Sequence, residues 1–145
     1  MFDPPSSGSP DGGGRTSRPA TDSPAGDPTD RAGGSREAAE LQRSADELVR
    51  RLRRWSASSW ALPPEGPAPA TRAEAAHLAV QRIADLGADA ELRLRRPVPR
   101  IVDLALADQL AVVVHDVVGT ADPIAVRETA AVLDKLRVVL GLRSR

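Results

Sequence analysis

The residues with the clearest chemical potential lie together near the middle of the chain. His115 and Asp116 follow three valines, and Asp108 and Gln109 precede them on the same apolar run. An imidazole beside a carboxylate suggests metal ligation or proton transfer. On a helix, however, adjacent residues diverge by about 100°, and Asp108 and His115 are separated by two turns, about 10 Å, so they cannot share an ion directly. The chain has no His-x3-His, no Glu-x-x-His and no Asp-x-Asp-x-Asp loop, the spacings that bring metal ligands together. Ser56, Ser58 and Ser59 have no base nearby to activate a hydroxyl. Gly12–Gly14 neither follows a strand nor precedes a helix or lysine, as a phosphate loop would.

The segment Val112–Gly119, VVVHDVVG, resembles the HD motif of metal-dependent phosphohydrolases, an all-helical superfamily. The resemblance implies divalent metal held by an earlier histidine, the His-Asp pair and a later aspartate, in the order His77, His115, Asp116 and Asp134. It covers only a few residues. The interval from Asp116 to Asp134 is short for that family, the glycine falls one place late, and no basic residue follows it for phosphate. The His-Asp pair is therefore read as part of a solvated stripe, with no metal or cofactor assigned and phosphohydrolase chemistry as the third reading.

Arginine offers a different chemistry. Arg50, Arg51, Arg53 and Arg54 form one cluster, and Arg93, Arg95, Arg96 and Arg100 another, a pattern suited to a phosphate backbone. Glu37, Glu40, Asp46 and Glu47 lie on the same first helix as the first cluster, and base-stacking aromatics are lacking apart from Trp55 and Trp60. With Lys135 the only lysine and alanine abundant, the arginine usage reads as codon bias more than as chosen contacts. Solvated helix faces are the preferred account, and nucleic-acid binding is the alternative.

Composition sets the frame for these residues. At 145 residues and zero formal net charge, the chain is at most one domain with a tail, without a global field toward nucleic acid or anionic lipid. It has no cysteine, hence neither disulfides nor thiolate metal sites. The start lacks the apolar core of a secretory signal, and the Leu104–Val118 run is too short and too interrupted by polar residues to span a bilayer, so a cytoplasmic protein without a membrane partner is expected.

Residues 1–34 are rich in Pro, Gly, Ser, Thr and Asp, with little to bury after Phe2; they are expected to be a disordered tail. Residues 35–145 read as a small antiparallel four-helix bundle, an all-α fold. The first helix is expected from about Arg36 to Trp55, capped by Ser35, with Leu41, Ala45, Leu48, Leu52 and Trp55 in one stripe. The prolines of the 56–70 linker end it, and Trp60 and Leu62 are expected to fold back over the bundle. Thr71 and Glu74 form a capping box for the second helix, whose apolar face is Ala76, Ala79, Val80, Ile83 and Leu86. Residues 88–96 are open to helix or to a short strand, with helix favoured because a lone strand lacks a partner. Pro99 suits the first turn of the third helix, where Asp103 would face the free amides. Val102, Leu106, Leu110, Val113, Val114, Val117 and Val118 make a wide apolar arc there. The fourth helix opens at Asp122-Pro123 and stops at Gly141; its short link makes it an antiparallel neighbour of the third. The expected core is Leu41, Leu48, Leu52, Val80, Ile83, Leu106, Leu110, Val113, Val117, Leu133, Leu136 and Leu140.

Together these features favour a non-enzymatic helical module that binds another protein or a second copy of itself. Its expected surface comprises Trp55, Trp60 and Leu62, or the stripe Asp108, Gln109, His115 and Asp116.

Overall fold

The computed structural model describes residues 26–143, together with 2, 4, 5, 8 and 12–14. Among the described residues all regular structure is helical: α1 (Pro28–Leu52), α2 (Ala57–Ala61), α3 (Arg72–Ala90), α4 (Leu106–Thr120) and α5 (Pro123–Val139), with a 3-10 turn at Asp103–Ala105 before α4. The four long helices form the bundle and α2 is a single short cap.

The helix starts follow local chemistry. Asp27 accepts from the Thr29 amide at 3.0 Å, and those hydrogen bonds hold its carboxyl below the usual aspartate range. With Pro28 in the first turn this is the same Asp-Pro start that Asp122 and Pro123 give α5, where the Asp122 carboxylate accepts from Ile124 at 2.9 Å. The helix therefore begins at Asp27 rather than at Ser35. Most of the expected 1–34 tail lies outside the described residues, but its last stretch, from Pro28, is helix. Those first turns bury nothing before Leu41, which is why an apolar stripe could not reveal them. Thr71 Oγ1 accepts from the Glu74 amide at 3.1 Å, while Glu74 reaches back to Ala70, one residue earlier than a capping box at Thr71 requires.

The helix stops fall elsewhere than expected in one place. α3 runs through Gly87 and ends at Ala90. The Arg93 amide donates to Ala88 at 2.8 Å and the Leu92 amide to Asp89 at 3.1 Å, the paired bonds of a Schellman stop with Leu92 left-handed at φ 54°. Gly141 closes α5 by the same geometry at φ 70°. Residues 91–96 are thus neither helix nor strand, which overturns the helix favoured there. Pro99 also lies outside α4. The chain runs from Arg93 to Val102 without turn or bend, and Asp103 accepts from Arg100 at 2.9 Å instead of capping the helix amides.

Contacts between the helices give the topology. Glu37 meets Arg127, and Ser44 meets Arg137 further along, so α1 and α5 run the same way. Arg53 meets Asp108, so the end of α1 lies at the start of α4. Arg82 meets Glu128, while Ala75 and Leu136 line one groove, so α3 and α5 run oppositely. Residues 91–102 return along α3 and deliver the chain to the start of α4, which then climbs beside α3 until Val117 meets Gly87. Two helices run each way. α4 packs on α3 and α1, and α5 packs on α3 and α1. The short link therefore joins helices that face each other across the bundle diagonal, not side-by-side neighbours. The alanines of α3 and the valines of α4 let their backbones lie close enough to share one dense layer.

Every residue expected in the core is buried except Val113, which is half-buried; Val114, one position on, takes the interior place. Val102, expected on the apolar arc, is exposed because it precedes the helix. Arg137, only 15 % exposed, bridges α5 to α1 by donating to the Ser44 carbonyl at 2.8 Å and to its hydroxyl.

Gly87 is helical and buried, and an added Cβ would meet Val117 Cγ2 at 3.5 Å, an ordinary contact. Gly87→Ala is expected to raise stability by about 0.5–1 kcal/mol through reduced unfolded-state entropy. Chemical denaturation checks this, with a raised midpoint at constant slope as the expected result.

Candidate interaction surface

The two tryptophans stand at the base of the bundle, where α1 ends and α3 begins. Ser56 caps α2 by accepting from the Ser59 amide at 3.2 Å, and the single turn aims Trp60 inward. Trp60 is 0 % exposed and meets Trp55 edge-to-face at 4.9 Å between centroids. The Arg72 guanidinium sits over the Trp55 ring at 5.0 Å. Trp60 is thus a core residue and offers no surface to a partner, a correction to its place in the expected docking set. Its large apolar area outweighs the indole N–H, which is buried without a partner. Trp55 is half-buried beneath Arg72, and only Leu62 of that group, at 48 % exposure, faces solvent freely.

The polar stripe of α4 does not act as one face. Asp108 is bound by Arg53 at 2.8 Å. Gln109 turns its amide to the Pro99 carbonyl at 3.0 Å and fastens the 91–102 segment. His115 and Asp116 are exposed, with Asp116 beside the recess under that segment. His77 is half-buried on α3 with Nδ1 unpartnered. Among the described residues no three His, Asp or Glu side chains come close enough to hold a metal ion, so His77, His115, Asp116 and Asp134 are not brought together.

Four of the eight arginines in the two clusters face a carboxylate. Arg93 pairs with Glu91, Arg95 with Asp89 and Arg100 with Asp103, leaving Arg96 as the one unmatched member among the described residues. Of the first cluster, Arg53 is held by Asp108 and Arg50 donates to the Asp46 carbonyl, while Arg51 and Arg54 are exposed without a carboxylate. Arg95 grips Asp89 through both Nε, at 2.9 Å, and Nη2, at 2.6 Å. That pair holds the Asp89 carboxyl below its usual value and lifts the Arg95 guanidinium above its own.

The surface that stands out is the strap itself, residues 91–104. On its inner side the Gln81 amide works twice: Oε1 accepts from the Val98 amide at 2.7 Å, and Nε2 donates to the Arg96 carbonyl at 3.1 Å. Those bonds give a strand-like segment the backbone partners that no neighbouring strand supplies. Leu92 is 94 % exposed and Leu94 85 %, and towards the start of α4 Ile101, Val102 and Leu104 each leave more than half their surface in water. Leu92 also holds a left-handed backbone, which costs a branched L-residue roughly 1 kcal/mol. The Glu-Leu-Arg-Leu-Arg alternation was visible in the sequence. The proline pair after it was readable as a helix break, but nothing marked the leucines as outward. A second apolar groove lies between α3 and α5, with Leu78 on its wall and Arg82 and Lys135 at its rim.

No protein-family model, no curated protein and no solved structure matches the chain. Among the described residues no helix is long and apolar enough to cross a membrane.

Removing the Gln81 carboxamide leaves the strap's backbone groups to water. Gln81→Ala is expected to cost about 1–3 kcal/mol and to speed exchange of the Val98 amide well beyond the global change. Amide exchange by NMR reads both effects. The Asp89 carboxyl has a depressed folded value, so its small contribution is complete above the ordinary aspartate value and disappears as pH falls through the folded one. Arg95→Gln is expected to raise the Asp89 titration midpoint toward the ordinary aspartate range in carboxyl-carbon NMR.

Proposed function

We propose that the chain acts by non-enzymatic association with protein, in the cytoplasm, and that the outer side of the strap is where it docks. The observation that carries this reading is the exposure of Leu92, Leu94, Ile101, Val102 and Leu104 along one connecting segment, on a chain whose other large aliphatics are mostly packed. Solvent-exposed leucines on an open backbone are a liability unless another surface covers them. The rest of the molecule supports the reading by contrast. Sixteen of its charged side chains pair with each other, and among the described residues no three His, Asp or Glu side chains converge.

Nucleic-acid binding is the second reading, resting on the unmatched Arg51, Arg54 and Arg96. It predicts binding that weakens steeply with salt and is lost when Arg51, Arg54 and Arg96 are replaced.

Affinity capture of the tagged full chain from its native cells, after nuclease treatment, tests the first reading against a Leu92→Asp/Leu94→Asp variant. A protein, a second copy included, held stoichiometrically by the native chain and lost by the variant is the expected result. Identical captures overturn docking at the strap, and nuclease-sensitive capture moves the assignment to nucleic acid.

A further inference from the structure

The groove between α3 and α5 has a built floor and two closed ends. Ala75 and Ala79 of α3 and Leu136 of α5 are all buried at its bottom. The two alanines are too short to fill the space between the helices, which leaves a recess of about 580 Å3 where larger side chains would have met. Leu78 stands on one wall and Val132 on the other, and Leu78 keeps more than half of its surface in water. At one end Arg82 reaches across from α3 to Glu128 of α5 at 3.3 Å. At the other end lie Ala68 and Pro69 of the linker, which the Glu65 amide ties to the Val139 carbonyl at 2.8 Å.

We propose that this groove binds a small apolar carboxylate, an unbranched acyl chain of about eight to ten carbons whose head group sits at Lys135. The site is separate from the strap and independent of what docks there. Its length selects the ligand. The walls run from Ala75 to Arg82 and from Val132 to Val139, two helical turns or about 10 Å each, which is the extended length of such a chain. A helix from another protein is about 10–12 Å across with its side chains, wider than the gap between two helices packed about 8–10 Å apart.

Charge selects the head group. Arg82 and Lys135 are the only charged residues on the lining, and every other one is Ala, Pro, Val or Leu. Arg82 is engaged by Glu128, whereas Lys135 is exposed and meets no carboxylate among the described residues. Its neighbour Asp134 is turned to Arg137. Glu128 lies two turns before Lys135, about 10 Å along α5, so ordinary salt screens it from the ammonium.

A lone ammonium is a point charge and suits a singly charged carboxylate. A phosphate ester is held best by the fork of a guanidinium, and here that group already faces Glu128. The floor supplies most of the affinity: each methylene laid on it, covered from one side, contributes about twofold. That gain stops where the chain reaches Arg82 at one end or Pro69 at the other.

Methyl NMR on the full chain, titrated with hexanoate, octanoate, decanoate and dodecanoate below their micellar concentrations, tests the proposal. The methyls of Leu78, Val132, Leu136 and Val139 are expected to shift while those of Leu92 and Leu94 stay in place. Affinity should rise about tenfold from hexanoate to decanoate and then level off, because a longer chain meets a closed end. Lys135→Glu should weaken decanoate about fivefold, and decyltrimethylammonium should bind the native chain about fivefold more weakly than decanoate does. The variant should keep its helical circular dichroism, because Lys135 is exposed. Equal binding of the anionic and cationic chains, or decanoate binding indifferent to Lys135→Glu, overturns the carboxylate site. Affinity still climbing at dodecanoate, or equal shifts at Leu92 and Leu94, is unspecific adsorption and overturns the groove as a site. So does the absence of any shift at about 1 mM decanoate. None of these results bears on docking at the strap, which the Leu92 and Leu94 variant decides separately.

Discussion

The arrangement of the bundle depends on one constraint: α3 and α4 lie side by side and point the same way. The chain must therefore travel back along α3 between them, in a segment that is not a helix and has no strand to pair with. Backbone polar groups in that position need partners on the side that faces protein. The Gln81 carboxamide supplies a donor and an acceptor at once, to Arg96 and Val98, and Gln109 supplies a donor to Pro99. Two side-chain amides thus do what a sheet would otherwise do. Because they hold only the inner side, the outer side of the same backbone is left open.

The base of the bundle is closed by a different device. The two tryptophans and Arg72 stack where α1 ends and α3 begins, and the linker is anchored there by backbone bonds from Arg72 to Leu62 and from Glu65 to Val139. A linker rich in proline cannot make helical hydrogen bonds of its own, so its order comes from the burial of Trp60 and from those few bonds. At the opposite end α1 overhangs the bundle: Glu37 is level with the start of α5, and the turns before it rest on the Asp27 cap rather than on packing.

The ion pairs lie mostly at the surface. Among the described residues four ion pairs join side chains within six residues of each other and four join separate segments, most of them well exposed, an arrangement that adds little stability. Arg137 is the exception, because it is mostly buried; it crosses to α1 by donating to Ser44.

Much of the fold was legible in the sequence. Periodicity gave the apolar faces of all four long helices, because a helix must bury one stripe and each stripe is local. Asp122-Pro123, Thr71 and Gly141 marked their ends, because capping is settled within a turn. The same Asp-Pro signature stood at Asp27-Pro28, but it opened turns that bury nothing, and a reading guided by burial passed over it. The outward placement of Leu92 and Leu94, the inward placement of Trp60 and the pairing of helices across the bundle were decided only in three dimensions. Each depends on residues far away in the chain: Gln81 for the strap, Trp55 and the end of α1 for Trp60, and the length of the return path for the helix order. Local sequence determines which segments are helical and which face is apolar. Which of those faces meet, and which apolar residues find no partner within the chain, follows from packing the whole.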